Sequence, residues 1–465
     1  MRTRSKLNAI SRVGAKDKVM IGYTDDTICA ISTPSGVGGI AVVRISGSRA
    51  IEIADKIWRG KAIMSMASHT VHLGQIIDEE GSVLDQAVVA IYRAPNSFTG
   101  EDVVEISVHG SIYIQQALLA SLISKGARLA KPGEFTRRAF ASGKFDLAQA
   151  EAVADLIASE SKASHRIAMN QMRGNFSNRL KSLRDNLLQL ISLLELELDF
   201  SEEEVEFASR KELLNIATTV KEEVSKLAKS FKAGKAIKDG IPVAIIGPTN
   251  AGKSSLLNAL LDDDRAIVSD IHGTTRDVIE DTLSLGDYKF RIMDTAGIRH
   301  TDDTIEALGI TRSLKAASSA DIVLSVIDIT DPKESEVAKG YAKVLKIYNK
   351  LDKIQSTTSL PTDGIIISAK TGEGLDKLKE SMLAIAKESE TAHCSVLVTN
   401  ARHLEALLNA NESITRAIDA LNAQLSGELV AQDLRLTIHH LGSILGEISS
   451  DEVLGNIFSR FCIGK

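Results

Sequence analysis

The segment Gly247–Ser254 has the residues and spacing of a phosphate-binding loop. It reads GPTNAGKS and fits the pattern G-x-x-x-x-G-K-[ST]. The strand-like Val243–Ile246 precedes it and the helix-like Ser255–Leu261 follows it, which is the context that a P-loop requires. In such a loop backbone N–H groups surround the β-phosphate, Lys253 bridges β- and γ-phosphate oxygens, and Ser254 ligates Mg²⁺. The alternative, a chance glycine-rich turn, is disfavoured by the flanking strand and helix.

Four further motifs follow in the order of a guanine-nucleotide domain. Gly273–Thr275 supplies a threonine hydroxyl to Mg²⁺, and Asp294–Gly297 places an aspartate near the metal and a glycine N–H against the γ-phosphate. The last carboxylate of Asn349–Asp352 can accept hydrogen bonds from guanine N1 and N2, and Ser368–Lys370 packs against the base. Adenine has no such donor pair, so the ordered set predicts a site selective for GTP.

The sequence lacks two catalytic features of a Ras-like switch. Ile298 stands where such a switch has a water-positioning glutamine, and the sequence marks no arginine finger. An arginine finger contributes about three to five decades in rate. Hydrolysis is therefore either very slow or uses another base and another cation.

Composition excludes several classes of protein. The 465 residues predict two to four domains, and 44% hydrophobic with 25% charged residues is typical of a folded soluble chain. The net charge of -6 means that RNA contact must come from a local patch or a partner. Cys29, Cys394 and Cys462 are too far apart for zinc spacing and too few for a disulfide framework, which favours a reducing compartment. No apolar run approaches the ~20 residues that span a bilayer.

Residues 1–19 are basic and contain a single acid, Asp17. This pattern fits an organelle transit peptide, but also a disordered extension or an upstream start with Met20 as the true beginning. We therefore predict a cytoplasmic protein, with a mitochondrial location as the alternative if the segment is a transit peptide.

Periodicity divides the chain into parts. Strand-like and helix-like stretches between Thr27 and Gly133 predict an α+β fold, and leucines from Leu180 to Leu198 recur at three- and four-residue steps on one helical face. Strand–loop–helix alternation from residue 241 predicts a Ras-like doubly wound α/β domain. The predicted domains are a basic extension (1–25), an N-terminal domain (26–140), a discontinuous helical domain (141–240 and 389–465) and an inserted G domain (241–388).

Motifs outside the G domain resemble the MnmE (TrmE) family of tRNA-modifying GTPases. They are Val43–Gly47 near the start, Ala94–Glu105, Lys131–Thr136, and the C-terminal Phe461–Lys465. The resemblance covers nearly everything from Asp26 to the end of the chain. It departs from the family's usual arginine-proline pair before Asn250, where this chain has Pro248 and Thr249.

The resemblance fills the catalytic gap. It implies a potassium-activated GTPase whose G domains pair across a homodimer. Asn250 and groups of the switch-I loop, Ser269 to Thr274, would ligate K⁺, and Glu306 would orient the attacking water. Without the resemblance Glu306 reads as an acid on a helix surface.

The resemblance also implies that the N-terminal domain dimerises and binds 5-formyltetrahydrofolate or a related tetrahydrofolate. Arg44, Glu105, Lys144 and Lys465 would line that pocket. By itself Arg44 reads as a strand-surface residue, and Cys462 fits a catalytic thiol and a packed residue equally well.

The family adds an aminomethyl-type group, carboxymethylaminomethyl, to carbon 5 of the wobble uridine of certain tRNAs. It works with a flavin-dependent MnmG (GidA) partner in a heterotetramer. The alternatives are a ribosome-assembly or signalling GTPase that acts as a binding switch, and a P-loop ATPase.

The predicted catalytic set is Glu306, Lys253 and Asn250. The Mg²⁺ ligands are Ser254 and Thr275, and the K⁺ ligands are Asn250, Ser269, Ile271 and Thr274. The nucleotide contacts are Asn250, Ala251, Gly252, Lys253, Ser254, Ser255, Ser269, Asp270, Ile271, His272, Gly273, Thr274, Thr275, Asp294, Thr295, Ala296, Gly297, Asn349, Lys350, Asp352, Ser368, Ala369 and Lys370. The folate contacts are Arg44, Glu105, Lys144 and Lys465.

Overall fold

The protein divides into two compact units. One contains the chain up to Ala154 together with the segment from Leu445 onward, and the other contains Asp155–Ile444. The computed structural model describes residues 26–199, 210–262, 281–293, 316–332, 343–354, 360–391, 396–447, 451–459 and 461–464.

The first unit is built on a seven-stranded sheet with the strand order β3-β4-β5-β6-β2-β1-β7. Its strands are β1 (Ile28–Ile31), β2 (Gly38–Ser46), β3 (Trp58–Arg59), β4 (Thr70–Ile77), β5 (Val83–Tyr92), β6 (Val103–Gly110) and β7 (Arg128–Leu129). Neighbours are antiparallel except β1 and β7, which are parallel. In β5, Ala87, Val89 and Ile91 are buried while Val88 is exposed, because successive side chains point to opposite faces.

Helices complete this unit. They are α1 (Ala50–Asp55), α2 (Ile112–Ser124), α3 (Glu134–Ala141), α4 (Leu147–Ile157) and, near the C-terminus, α13 (Asp451–Phe458). Leu454, Phe458 and Phe461 form a buried cluster with Leu147. The C-terminal residues thus pack in the first unit, whereas the sequence grouped 389–465 with the helical domain. The domain boundaries themselves stay a prediction.

The second unit contains helices α5 (Lys162–Met172), α6 (Asn175–Asp199), α7 (Arg210–Lys229), α8 (Phe231–Asp239), α9 (Lys253–Asp262), α10 (Leu375–Thr391), α11 (Ala401–Asn422) and α12 (Gly427–Leu445). The predicted leucine face on α6 is confirmed from Leu180 to Leu194, where its leucines are buried. Helix α7 packs against α11, so segments before and after the α/β part share one helical layer.

The α/β part has a six-stranded mixed sheet with the strand order β13-β12-β11-β8-β10-β9. Its strands are β8 (Ile241–Ile246), β9 (Asp281–Leu285), β10 (Tyr288–Met293), β11 (Ile322–Asp328), β12 (Val344–Asn349) and β13 (Ile365–Ile366). All neighbours are parallel except β9 and β10. The carboxyl ends of the parallel strands therefore meet at one edge, where α/β sheets bind ligands. In the described part of the chain no helix is long and apolar enough to cross a membrane.

Candidate functional site

The P-loop leaves the carboxyl end of β8, which lies between β11 and β10. Buried Ile245 and Ile246 end the strand, and Lys253 begins α9. The first N–H groups of a helix have no intrahelical acceptor and lie at the positive end of its dipole. This geometry suits an anion such as a phosphate.

Two glycines let the loop turn closely over its neighbours. Gly247 has φ 152°, and a Cβ on it would lie 2.2 Å from the carbonyl oxygen of Val326. Gly252 has φ 93°, and a Cβ on it would lie 2.2 Å from Asn349 Nδ2. A larger residue would have to displace backbone at the first position and a buried amide at the second. Between them Asn250 adopts a left-handed backbone with φ 65°.

Lys253 points back into the loop. Its Nζ donates hydrogen bonds of 2.9 Å to the carbonyl oxygens of Gly247 and Pro248. Burial lowers the pKa of Lys253 below its ordinary value. A positive charge that has lost water gains strongly from an anionic ligand, so this ammonium is suited to phosphate oxygens.

Asn349 ties the loop to the base-binding segments. It is the last residue of β12 and is 2% exposed. Its Nδ2 donates to Ala251 O at 3.0 Å, and its Oδ1 accepts from Ala369 N at 2.9 Å. One buried amide thus fixes the P-loop and the predicted Ser368–Lys370 segment relative to each other.

The predicted guanine acceptor is also held in place. Ser368 Oγ donates to Asp352 Oδ1 at 2.7 Å, and this hydrogen bond lowers the pKa of Asp352. Asp352 is therefore an ionised acceptor at neutral pH. Lys350, between it and Asn349, pairs with Asp328 at 2.5 Å.

The structure brings together only part of the predicted nucleotide site. The residues from Asn250 to Ser255, from Asn349 to Asp352 and from Ser368 to Lys370 lie at one edge of the sheet. The predicted residues from Ser269 to Thr275 and from Asp294 to Gly297, and Glu306 and Lys465, lie outside the described residues. Ser254 and Asn250 are thus the predicted metal ligands that the structure describes.

Sequence reasoning missed Asp328 at this edge. Asp328 is the last residue of β11, the strand beside β8. An acid at the carboxyl end of a buried strand, where α/β sheets bind ligands, is the signal that could have identified it. Burial alone would raise the pKa of Asp328, but hydrogen bonds from Lys350 and Thr330 hold it below its ordinary value.

A second group of predicted residues lies in the first unit. Arg44 on β2 stands opposite Glu105 on β6 in the strand register, and Arg44 Nε donates to Glu105 Oε1 at 2.8 Å. The Arg44 guanidinium lies over the rings of Phe98 and Phe135, 5.2 and 5.6 Å from their centroids. Sequence reasoning missed both rings as site residues, although Phe98 and Phe135 occur in the motifs that carry the family resemblance.

The C-terminal residues meet this arginine. The carbonyl oxygen of Gly464 accepts hydrogen bonds from Ser32 Oγ at 3.1 Å and from an Arg44 nitrogen at 3.4 Å. Cys462 is an exposed free thiol. Lys144 is exposed and precedes Phe145, whose ring makes an edge contact of 5.9 Å with Phe98.

The amino-acid sequence is similar to those of known proteins over nearly its whole length. It matches the family model of the MnmE helical domain over residues 147–462, and that of the GTP-binding protein TrmE N-terminus over residues 27–144. The first match spans more than half of the chain. The chain belongs to the MnmE family.

Curated MnmE proteins agree with this placement. The tRNA modification GTPase MnmE of Parabacteroides distasonis is 52% identical over 459 residues, which covers 94% of this chain and 100% of that protein. Its counterpart in Cytophaga hutchinsonii is 47% identical over 451 residues, which covers 95% and 98%. The resemblance read from the sequence is confirmed, and the chain is a GTP hydrolase of the MnmE family.

A solved structure shows a weaker likeness. The cytosolic domain of the T. maritima FeoB iron transporter in its GMPPNP form is 16% identical, with a TM-score of 0.25. It covers 44% of this chain and 98% of its own. A TM-score this low supports no inference about this MnmE-family chain.

Proposed function

We propose that this protein hydrolyses GTP in order to modify the wobble uridine of certain tRNAs at carbon 5, adding a carboxymethylaminomethyl-type group. The observation that carries the proposal is the buried Asn349 amide, which joins the P-loop to Ala369 beside the Asp352 carboxylate. A phosphate cradle next to a fixed carboxylate acceptor favours guanine over adenine. The relatives named tRNA modification GTPases support the tRNA part of the proposal.

Two cations belong to the proposed site. Ser254, in the first turn of α9, would ligate Mg²⁺ together with Thr275, since hydroxyl oxygens suit this hard cation. Asn250, with Ser269, Ile271 and Thr274, would ligate K⁺ through amide, hydroxyl and carbonyl oxygens. Bound cations would neutralise charge that develops on the phosphates.

The potassium proposal has a direct test. Replacing K⁺ by Na⁺ is expected to reduce GTP turnover sharply, because the sequence marks no arginine finger that could replace the monovalent ion. Glu306→Ala is expected to retain GTP affinity and to lose hydrolysis, because the proposed role of this carboxylate is to orient the attacking water. Turnover is measured as released phosphate. Equal rates in K⁺ and Na⁺ would contradict the role of Asn250.

The first unit would bind the tetrahydrofolate derivative that donates the carbon. Arg44 presents a guanidinium over two aromatic rings beside Glu105, a surface that suits a tetrahydrofolate derivative such as 5-formyltetrahydrofolate. A guanidinium suits the glutamyl carboxylate, and a carboxylate suits the N–H edge of the pterin. Lys144 and Lys465 would complete the proposed pocket.

The proposed assembly is a homodimer that joins an MnmG-type flavoprotein in a heterotetramer. The net charge of -6 supports a partner that supplies much of the RNA-binding surface. The family resemblance implies that this partner is a flavoprotein and supplies the redox chemistry. The exposed Val71 and Leu73 on the open face of the N-terminal sheet support the homodimer. We place the assembly in the cytoplasm.

Mass spectrometry of tRNA nucleosides tests the whole proposal. Cells that lack this protein are expected to lose the carbon-5 modification of wobble uridine, and the unaltered gene to restore it. Asp352→Asn is expected not to restore it, because the variant site prefers xanthosine nucleotides to cellular GTP. Asp363→Asn, which changes an exposed aspartate away from the nucleotide edge, is the control. An unchanged nucleoside profile in the deletion strain would refute the proposal.

A further inference from the structure

Asp328 and Lys350 form an ion pair at the nucleotide edge of the sheet. Lys350 Nζ lies 2.5 Å from Asp328 Oδ2, and both side chains are about four-fifths buried, with 20% and 18% of their surface exposed. Charge-assisted hydrogen bonds of this kind are the strong ones in proteins, and partial burial reduces their screening.

The Asp328 carboxylate is held from its other side as well. Its Oδ1 accepts hydrogen bonds from Thr330 N at 3.0 Å and Thr330 Oγ1 at 2.7 Å. Asp328 is also paired with Asn349 in the register of β11 and β12, and Ile329 N donates to Asn349 O. The Asp328 carboxylate is thus held in place by contacts that do not depend on Lys350.

Lys350 needs such an anchor. It adopts a left-handed backbone with φ 72°, which is unfavourable for a residue with a Cβ. It lies between Asn349, which contacts the P-loop, and Asp352, the proposed acceptor for guanine. A free lysine side chain samples many rotamers, and ordering it upon binding has an entropic cost.

We propose that Asp328 is a positioning residue for the guanine base, acting through Lys350. With Nζ tied to Asp328, the methylene stem of Lys350 is held in one conformation at the border of the base site before nucleotide arrives. This inference rests on the proposed guanine-nucleotide site and extends it to a residue outside the nucleotide motifs.

The test measures nucleotide affinity in the full-length protein. Asp328→Asn is expected to weaken binding of fluorescent GDP and GTP analogues about tenfold and equally, because the base is common to both. The KM for GTP should rise by the same factor, while kcat at saturating GTP stays within about twofold. Asp363→Asn removes an exposed acid that pairs with Lys346 on the same sheet and should leave affinity unchanged.

A double-mutant cycle shows whether the effect passes through Lys350. Asp328→Asn combined with Lys350→Ala is expected to bind GDP as weakly as Lys350→Ala alone. If the two losses multiply instead, Asp328 does not act through Lys350. Affinity of Asp328→Asn equal to that of the unaltered protein would also overturn the proposal.

A milder variant tests the proposal even if Asp328→Asn does not fold. Thr330→Val removes one hydrogen bond to the Asp328 carboxylate at an exposed position and is expected to weaken GDP binding about threefold. Unchanged affinity in this variant contradicts the proposal. Failure of the unaltered protein to bind GDP would instead refute the proposed function, so the two failures are distinguishable.

Discussion

Lys253 is suited to bind phosphate, but its burial destabilises the nucleotide-free protein. Its ammonium donates to two loop carbonyls, and burial lowers its pKa. A lysine whose pKa falls upon folding destabilises the folded state at neutral pH, because the unfolded chain keeps the proton more easily. Phosphate binding would reverse this cost, which couples stability to the ligand.

We expect Lys253→Met to separate stability from binding. The nucleotide-free variant should melt at the same or a higher temperature, because a buried charge has been replaced by an apolar side chain. At GDP concentrations of 100 times Kd the unaltered protein should gain about 2.7 kcal/mol, and the variant should gain almost nothing. Thermal melts with and without GDP and Mg²⁺ measure both effects.

Lys377→Met provides the control, because Lys377 is an exposed lysine on α10. It should retain the full stabilisation by GDP. Retention of that stabilisation in Lys253→Met would mean that the ammonium does not contact the nucleotide.

At the scale of elements, β10 joins the sheet to helices of the same unit. Tyr288 at its start is buried and donates a hydrogen bond of 2.5 Å to Glu390 on α10. The same carboxylate accepts from Arg166 on α5 at 2.5 Å. The Glu390 carboxylate thus links β10, α5 and α10. The link lies at the amino end of β10, whereas Asp294 follows its carboxyl end.

Tyr288 should give the unit a characteristic response to alkali. Burial and the hydrogen bond to Glu390 raise the pKa of Tyr288 from 10.0 to about 12. Its contribution to stability is complete below pH 10, where both states keep the proton, and is lost between pH 10 and 12 as the unfolded chain ionises first.

We therefore expect the free energy of unfolding to fall more steeply between pH 10 and 12 in the unaltered protein than in Tyr288→Phe. Urea denaturation at several pH values measures the difference. Tyr113→Phe, which changes a tyrosine that is 70% exposed, should follow the unaltered protein. Parallel pH profiles for Tyr288→Phe and the unaltered protein would show that Tyr288 titrates normally.

At the scale of the whole molecule, one face of the N-terminal sheet carries exposed apolar side chains beside the Arg44–Glu105 pair. Leu73 on β4 and Val88 on β5 are paired in the register and are 68% and 37% exposed, and Val71 is 65% exposed. A cluster of exposed apolar side chains of this kind marks interaction sites in soluble proteins. Covering it with a second copy is consistent with the proposed homodimer.

Leu73→Glu is expected to convert the proposed homodimer to a monomer at micromolar concentrations, because a buried unpaired carboxylate is costly. Size-exclusion chromatography with light scattering measures the mass. Leu408→Glu alters a leucine on α11 that is 52% exposed and should leave the mass unchanged. Guanine-nucleotide affinity should be the same in both variants, and a dimeric Leu73→Glu would exclude this face as the interface.

Several features follow from the sequence by itself. The P-loop, the strand–loop–helix alternation of the α/β part and the buried leucine face of α6 were predictable, because each depends on residues adjacent or one helical turn apart. The family was also recognisable, since its motifs are short contiguous segments such as Ala94–Glu105. Local patterns of this kind survive without knowledge of which elements become neighbours.

Tertiary structure alone decided the contacts that complete the sites. Asp328 meets Lys350 from 22 residues away, Arg44 meets Glu105 from 61, and Gly464 reaches Arg44 from 420. These pairs depend on which strands adjoin and in what register, and on where the C-terminal residues pack. Such choices minimise the free energy of the whole chain, so no local pattern encodes them.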